Sequence, residues 1–259
     1  MPGGKYDSSK TRVVPVFEQL AKRSDDWVRT LISLPRTTPE RPQDWVNLNL
    51  AYQVGKWGDD EARLAPAPSL LAWLLRNPSQ WAATPDTPER QRLLDGDAGT
   101  LEEGLRLAAK PSASKAWYIL EGHTAPDVYI ETPDALVVIE GKRTEAGPTC
   151  STKWMAGRHQ IWRHIEAAWE MRGRRRVYGF FIVDGNGLDT PAHWRAACTE
   201  TASESALAGS FPHRGRSDID AIRQCFLGVT TWQSVCAAFG LSHDSLPDCL
   251  PDTPGDEPV

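Results

Sequence analysis

The stretch that decides the fold reads Glu121-Gly-His-Thr-Ala-Pro-Asp-Val-Tyr-Ile-Glu-Thr-Pro-Asp-Ala-Leu-Val-Val-Ile-Glu-Gly-Lys142. Two mainly apolar runs, 127–131 and 135–142, are separated by Thr132-Pro-Asp-Ala135. Proline at the second position of such a group of four favours a tight turn. Two short runs joined by a turn are typical of paired strands, so the stretch predicts a β-hairpin.

The hairpin register brings two carboxylates together. Side chains alternate between the faces of a strand, so pairing of Glu131 with Leu136 places Asp127 opposite Glu140. Opposed residues have Cβ atoms about 4.5–5.5 Å apart, and two carboxylates at that distance repel each other unless a cation separates them. Such oxygen ligands suit Mg²⁺ or Mn²⁺ rather than zinc, and Lys142 projects from the same face. A register slip of one residue would instead leave an exposed face of mixed charge.

The elements around the hairpin follow the order helix, three strands, helix, strand. A capping box, Thr100-x-x-Glu103, predicts a helix that continues to about residue 110. The apolar run 116–121 predicts the first strand, ahead of the two strands of the hairpin. A strongly periodic helix over about 153–171 and a strand over 176–183 complete the series.

The two acidic positions sit in a motif as well as in a hairpin. With Pro126-Asp127 and Glu140-Gly-Lys142 on neighbouring strands, residues 99–185 resemble the PD-(D/E)xK nuclease superfamily, the restriction-endonuclease-like phosphodiesterases. The resemblance implies an α/β fold of the α+β type, with a mixed sheet. It further implies an αβββαβ core with helical elaborations at its N-terminal and C-terminal ends.

The resemblance also implies roles for the motif residues. Asp127, Glu140 and the backbone carbonyl of Gly141 would hold Mg²⁺ or Mn²⁺. The bound ion would activate a water molecule and polarise the scissile phosphate. Lys142 would orient the attacking water and offset negative charge in the transition state.

Four flanking residues join the candidate site. Members of this family often carry a further metal-proximal glutamate on the first helix, and Glu102 is the preferred candidate, with Glu121 as its competitor. Several branches place a Gln-x-x-x-Tyr motif on the second helix, where this chain has Gln160 and then His164 in place of tyrosine. His164 either contacts phosphate or is a hydrogen-bonded histidine at the edge of the core.

Basic side chains are concentrated around the predicted site. Residues 110–176 contain eleven Lys and Arg against eight Asp and Glu. Arg143, Lys153 and Arg158 are candidates for contact with a phosphate backbone. The basic run 172–176 is explained equally well by the preference of cations for the carboxyl end of a helix.

The overall composition limits the class of protein. The chain has 259 residues and a net charge of −5, and the five acidic residues after Arg223 account for all of that charge. The charge therefore does not argue against a nucleic-acid partner. The apolar runs are much shorter than the ~20 residues of a membrane helix, so no membrane partner is expected. Five widely spaced cysteines without a zinc pattern predict a reducing, cytoplasmic location.

The sequence divides into four predicted regions. Residues 1–98 form an N-terminal elaboration of helices and loops, 99–185 the nuclease core, 186–246 a helical C-terminal elaboration and 247–259 an acidic disordered tail. The expected function is metal-dependent hydrolysis of phosphodiester bonds, in DNA rather than RNA, by endonuclease or exonuclease action in restriction, repair or defence. Residues 1–98 or 186–246 are candidate surfaces for a homodimer or a partner protein.

Two alternatives remain open at this point. The first is a catalytically inactive member of the same fold that binds nucleic acid or serves in assembly. The second is a metal-free α+β interaction protein in which the motif is a coincidence.

Overall fold

One mixed sheet of five strands organises the part of the chain that the computed structural model describes, residues 7–36, 44–109 and 116–249. The strands lie in sequence order, the first three antiparallel and the last three parallel. The predicted α/β class with a mixed sheet is therefore confirmed. The strands are β1 (Val54–Trp57), β2 (Val128–Glu131), β3 (Ala135–Lys142), β4 (Arg176–Val183) and β5 (Phe226–Thr231).

Ten α-helices, counted over the same described ranges, accompany the sheet. None of these helices combines the length and the apolar character needed to cross a bilayer. A π-helical segment, Ser9–Val13, leads directly into the first of them. The helices are α1 (Val14–Leu20), α2 (Trp27–Ser33), α3 (Pro68–Arg76), α4 (Pro88–Leu94), α5 (Ala98–Ala108), α6 (Gln160–Met171), α7 (Ala192–Thr201), α8 (Glu204–Ser210), α9 (Arg216–Arg223) and α10 (Trp232–Phe239).

Helices cover both faces of the sheet, with β3 at its centre. Leu136 and Val138 pack with α6, α7, α8 and α9 on one face. Val137 and Ile139 pack with α1, α2 and α10 on the other. A strand that is buried on both faces needs a continuous apolar run instead of an alternating one, and 135–139 supplies it.

The register of the hairpin is as the sequence predicts. Glu131 pairs with Leu136, and Val128 pairs with Ile139. The next position along the hairpin therefore places Asp127, immediately before β2, opposite Glu140.

The prediction of a first strand over 116–121 is wrong. These residues form turns, and Tyr118 and Leu120 pack in a separate apolar cluster with α3, α4 and α5. The first strand of the sheet is β1, inside the predicted N-terminal elaboration. Its four residues include Gly55 and show no clear alternation, which explains why the pattern gave no signal. The predicted αβββαβ order within 99–185 is consequently wrong in its first half, because α5 lies between β1 and β2 in the chain.

Two helix starts also differ from the prediction. The N-cap of α5 is Asp97, whose Oδ1 accepts the N–H of Thr100 at 2.6 Å, so the predicted capping box at Thr100 does not form. Glu103 pairs instead with Arg106. The helix predicted over about 153–171 begins only at Gln160, because 153–159 form turns.

The C-terminal region contributes to the sheet. The predicted helical elaboration, 186–246, contains β5, which pairs parallel with β4. β5 is buried along its whole length, so it belongs to the same core as the predicted nuclease region. Most of the predicted acidic tail, residues 250–259, lies outside the described residues.

A buried ion network ties α6 to the loops on either side of it. Arg158 is 1% exposed and bonds Glu121 at 2.8 Å and Glu166 at 2.7 Å. Glu166 also accepts from His213 and Arg214. Although burial alone would raise the pKa of Glu166, Arg158 and His213 lower it to about 2. The loop after α8, which supplies His213 and Arg214, therefore covers the side of α6 that carries Glu166.

Replacing Arg158 tests the importance of this network. Arg158→Met keeps the volume but leaves two buried carboxylates without their shared cation. Loss of one partner from a buried ion pair costs about 3–5 kcal/mol in the free energy of unfolding. Urea unfolding followed by tryptophan fluorescence measures this difference.

The matched control is Arg216→Met, which removes an exposed arginine that pairs with Glu204 and should leave stability nearly unchanged. The difference in the free energy of unfolding between wild type and Arg158→Met should decrease as the pH falls from about 4.5 toward 2, because Glu166 then takes up a proton. Equal stabilities of the two variants at neutral pH would contradict a stabilising role for the network.

Candidate functional site

The candidate site lies at the carboxyl ends of the parallel strands, where β3 ends in Glu140-Gly-Lys142. Asp127 enters from the start of β2, and its Oδ2 accepts the backbone N–H of Gly141 at 2.8 Å. A Cβ at Gly141 would come within 3.0 Å of Trp232 and Val13. Only glycine allows both side chains to cover the back of the strand beside the site.

Glu140 is the buried centre of the site, with 2% of its surface exposed. Its Oε1 lies 2.9 Å from Nζ of Lys142, and its Oε2 lies 2.9 Å from Nε2 of His164. Nδ1 of His164 in turn lies 2.8 Å from Oγ1 of Thr124. Because an ionised carboxylate can only accept, Nε2 of His164 donates to Glu140, and the ring joins Thr124 to this carboxylate.

The first turn of α6 supplies the side chains above Glu140. Gln160 and His164 are four residues apart and therefore lie on one face of the helix. Oε1 of Gln160 accepts from Nζ of Lys142 at 3.4 Å. The structure thus brings together five of the predicted residues: Asp127, Glu140, Lys142, Gln160 and His164.

The charges at the site are only partly compensated. Burial, together with the neighbouring Glu140, raises the pKa of Asp127 well above its ordinary value. Burial alone would also raise the pKa of Glu140, but His164 and Lys142 lower it, so Glu140 stays ionised. The two carboxylates raise the pKa of Lys142 against the effect of burial, so this side chain stays an ammonium.

Asp127 is therefore the carboxyl group of the site whose negative charge is not balanced by a basic partner among the described side chains. Among the described residues, no basic side chain forms an ion pair with it, and Lys142 is turned toward Glu140. The same part of the chain contains no group of three His, Cys, Asp or Glu side chains arranged around a metal ion. The candidate ligands include only two such side chains, Asp127 and Glu140, together with one backbone carbonyl. Asp127, Glu140 and the Gly141 carbonyl would offer hard oxygen ligands, the type that Mg²⁺ and Mn²⁺ prefer.

The sequence pattern pointed to neither of two residues near the site, Glu61 and Thr124. Glu61 follows β1, and burial, together with the negative charge of Glu140, raises its pKa. Leu64 and Thr124 exchange two backbone hydrogen bonds of 2.9 Å, which hold this segment beside the site. No signal in the sequence pointed to Glu61, because β1 itself was not recognised.

Three predicted residues lie away from the centre. Glu102 is exposed on α5, a helix that packs mainly against α3. Glu121 is 5% exposed and pairs with Arg158, so neither side chain presents a free group to a metal or a substrate. The geometry therefore argues against Glu102 and Glu121 as metal ligands and against Arg158 as a substrate contact.

The remaining two basic candidates have acidic partners. Lys153 is exposed and pairs with Asp86, at the edge of the α3–α5 cluster. Arg143 follows Lys142 directly but bonds Asp184, on the side of β3 that Val13 covers.

Comparisons of the chain with protein-family models, with curated proteins and with solved structures found no significant match. The chemistry of the site has to be inferred from its own side chains.

Replacing Asp127 tests the electrostatic imbalance. Asp127→Asn keeps an oxygen acceptor for the Gly141 N–H but removes the charge. A carboxyl group with a raised folded pKa contributes its full stability below the unfolded pKa, about 3.9, and loses it as the pH rises through the folded value. In EDTA, Asp127→Asn should therefore be more stable than wild type at pH 7, and the two should converge near pH 4. Urea unfolding at both pH values measures this.

Glu145→Gln is the matched control, since Glu145 lies 3.9 Å from Lys142 but is exposed. Glu145→Gln should give no comparable increase in the free energy of unfolding at pH 7. A stability difference for Asp127→Asn that is the same at pH 4 and pH 7 would contradict the raised pKa.

Proposed function

We propose that this chain is a metal-dependent nuclease that hydrolyses phosphodiester bonds, with DNA favoured over RNA. One observation carries the proposal. Two carboxylates and a lysine converge at one end of the sheet, yet the carboxyl group of Asp127 has no cationic partner among the described side chains. Such a charge imbalance reduces stability and is typical of a site that binds a cation or a reacting group.

We place this centre within a restriction-endonuclease-like core of the PD-(D/E)xK type. The support is the order of the sheet elements. Three antiparallel strands, β1, β2 and β3, are followed by α6 and by β4 parallel to β3. Glu140 and Lys142 lie on β3, and Asp127 lies immediately before β2, which is the arrangement of the motif.

Each residue of the centre has a part in the proposed mechanism. Asp127, Glu140 and the carbonyl of Gly141 would hold Mg²⁺ or Mn²⁺, which would supply a water of lowered pKa and polarise the phosphate. Lys142, whose pKa the nearby carboxylates raise, would orient the water and stabilise negative charge on the phosphate oxygens.

The surrounding residues position these groups. Gln160 accepts a hydrogen bond from Lys142 and limits the directions in which the ammonium can point. His164, held by Thr124, fixes one oxygen of Glu140. The other oxygen of Glu140 pairs with Lys142 and would be the one left for a cation.

A nucleic-acid-binding module without catalysis is the second candidate. The observation in its favour is that Lys142 and His164 already occupy both oxygens of Glu140. Such a protein would bind nucleic acid equally well with and without a divalent cation.

Cleavage assays separate these functions. Supercoiled plasmid, linear duplex, single-stranded DNA and RNA are each incubated with the full chain in Mg²⁺, in Mn²⁺ and in EDTA. We expect cleavage of DNA only with a divalent cation. Lys142→Ala and Asp127→Asn should each lower the rate by about 100-fold or more, the effect of losing one group that stabilises developing charge.

Glu131→Gln is the control, because Glu131 lies on the same face of β2 but pairs with Arg175. Its rate should equal that of wild type. Cleavage that survives in Asp127→Asn or Lys142→Ala would refute the site assignment. Binding without cleavage under any cation would favour the second candidate.

A further inference from the structure

A second polar cluster begins directly after Lys142, at the same end of the sheet. Asp184, which follows β4, accepts from two arginines: Nε of Arg12 reaches Oδ1 and Nε of Arg143 reaches Oδ2, each at 3.2 Å. Both arginines are largely buried, with 3% and 9% of the side chain exposed. Asp184 thus holds the guanidinium groups of Arg12 and Arg143 side by side, and these two residues are called the arginine pair.

The C-terminal segment lies on this arginine pair. The carbonyl oxygen of Pro247 accepts from Nη1 of Arg12 at 2.7 Å, and the carbonyl oxygen of Asp248 accepts from Nη1 of Arg143. The Asp248 carboxylate lies 3.5 Å from Nη2 of Arg143 and 3.9 Å from Nη2 of Arg12. Three oxygen atoms from two consecutive residues thus face two guanidinium groups.

The segment resembles a phosphate group in charge and in acceptors. Guanidinium groups bind paired oxygens of carboxylates and phosphates with the same fork geometry. The chain after Arg223 has no Lys or Arg but five acidic residues, so the segment has the same sign of charge as a nucleic-acid backbone. The Asp248 side chain is 95% exposed, so this is a surface contact that a competing anion can displace.

We propose that Arg12 and Arg143 form a phosphodiester-binding subsite beside the catalytic centre, and that the segment at Pro247-Asp248 occupies it until nucleic acid binds. The inference rests on the proposed function, since it assigns a backbone phosphate of the same substrate to this subsite. Arg143 is the residue after Lys142, and a strand advances only about 3.3 Å per residue. The arginine pair and the acidic centre therefore lie at the same end of β3, on opposite sides of the strand, and a backbone that crosses this end of the sheet can contact both.

Binding in EDTA tests the subsite without any cleavage. Fluorescence anisotropy measures the affinity of the full chain for a labelled DNA duplex as a function of NaCl concentration. Asp248→Arg repels the segment from the arginines and should tighten binding about fivefold, the effect of releasing one surface contact. Arg143→Gln should weaken binding and reduce the salt slope by about 0.9, the value for one phosphate contact.

Two controls match these changes of charge. Asp244→Arg adds the same charge four residues earlier, at an exposed carboxylate that lies against His243 and not on the arginine pair. It should tighten binding clearly less than Asp248→Arg. Arg174→Gln removes an exposed arginine near the opposite end of β4 and should leave the salt slope unchanged.

The double variant Arg143→Gln with Asp248→Arg should lose the gain in affinity, and a duplex with an uncharged methylphosphonate backbone should show no gain for Asp248→Arg. Equal affinities of Asp248→Arg and Asp244→Arg, or a gain that persists without Arg143, would overturn the inference. These failures are distinct from failure of the proposed function. If the binding differences appear but no DNA is cleaved, the subsite is supported and the proposed nuclease function fails. If DNA is cleaved without the binding differences, the nuclease function is supported and the subsite fails.

Discussion

The pairing of β2 with β3 is the constraint on which the rest of the structure depends. A slip of one residue would move Val137 and Ile139 from the cluster around α1, α2 and α10 toward the opposite face. The same slip would separate Asp127 from Glu140. Core packing and the candidate site are therefore fixed by a single register, and the apolar pattern that secures the core also brings the carboxylates together.

Two buried acidic centres in the molecule differ in how completely their charge is balanced. Glu166 is surrounded by Arg158, His213 and Arg214, and its pKa is lowered to about 2. Asp127 has a raised pKa, because burial and the charge of Glu140 outweigh the opposing effects of Lys142 and the Gly141 N–H. The first arrangement is what a structural ion network requires. The second keeps an energetic cost in the folded state that a bound cation can remove, and this contrast is the physical reason for assigning function to one centre and not the other.

Much of this architecture could be predicted from local patterns. The hairpin, β4 and α6 have strong periodicity or defined turns, and the register follows from the turn at Thr132–Ala135. β1 could not be predicted, because four residues with a glycine carry too little pattern. Tertiary packing also overrode the apolar run at 116–121, which the α3–α5 cluster buries without any strand. Glu61 was missed for the same reason as β1, since its place at the site depends on that strand.

The end of β3 explains how one short segment can serve two purposes. Alternation along a strand directs Glu140 and Lys142 toward α6, while Gly141 leaves room on the other side for Val13 and Trp232. Val13 belongs to the same helical segment as Arg12, so the packing that requires glycine also brings this arginine to Asp184 and Arg143. A larger residue at position 141 would displace that segment. The glycine within the Glu-Gly-Lys sequence thus couples the acidic centre on one side of the strand to the arginine pair on the other.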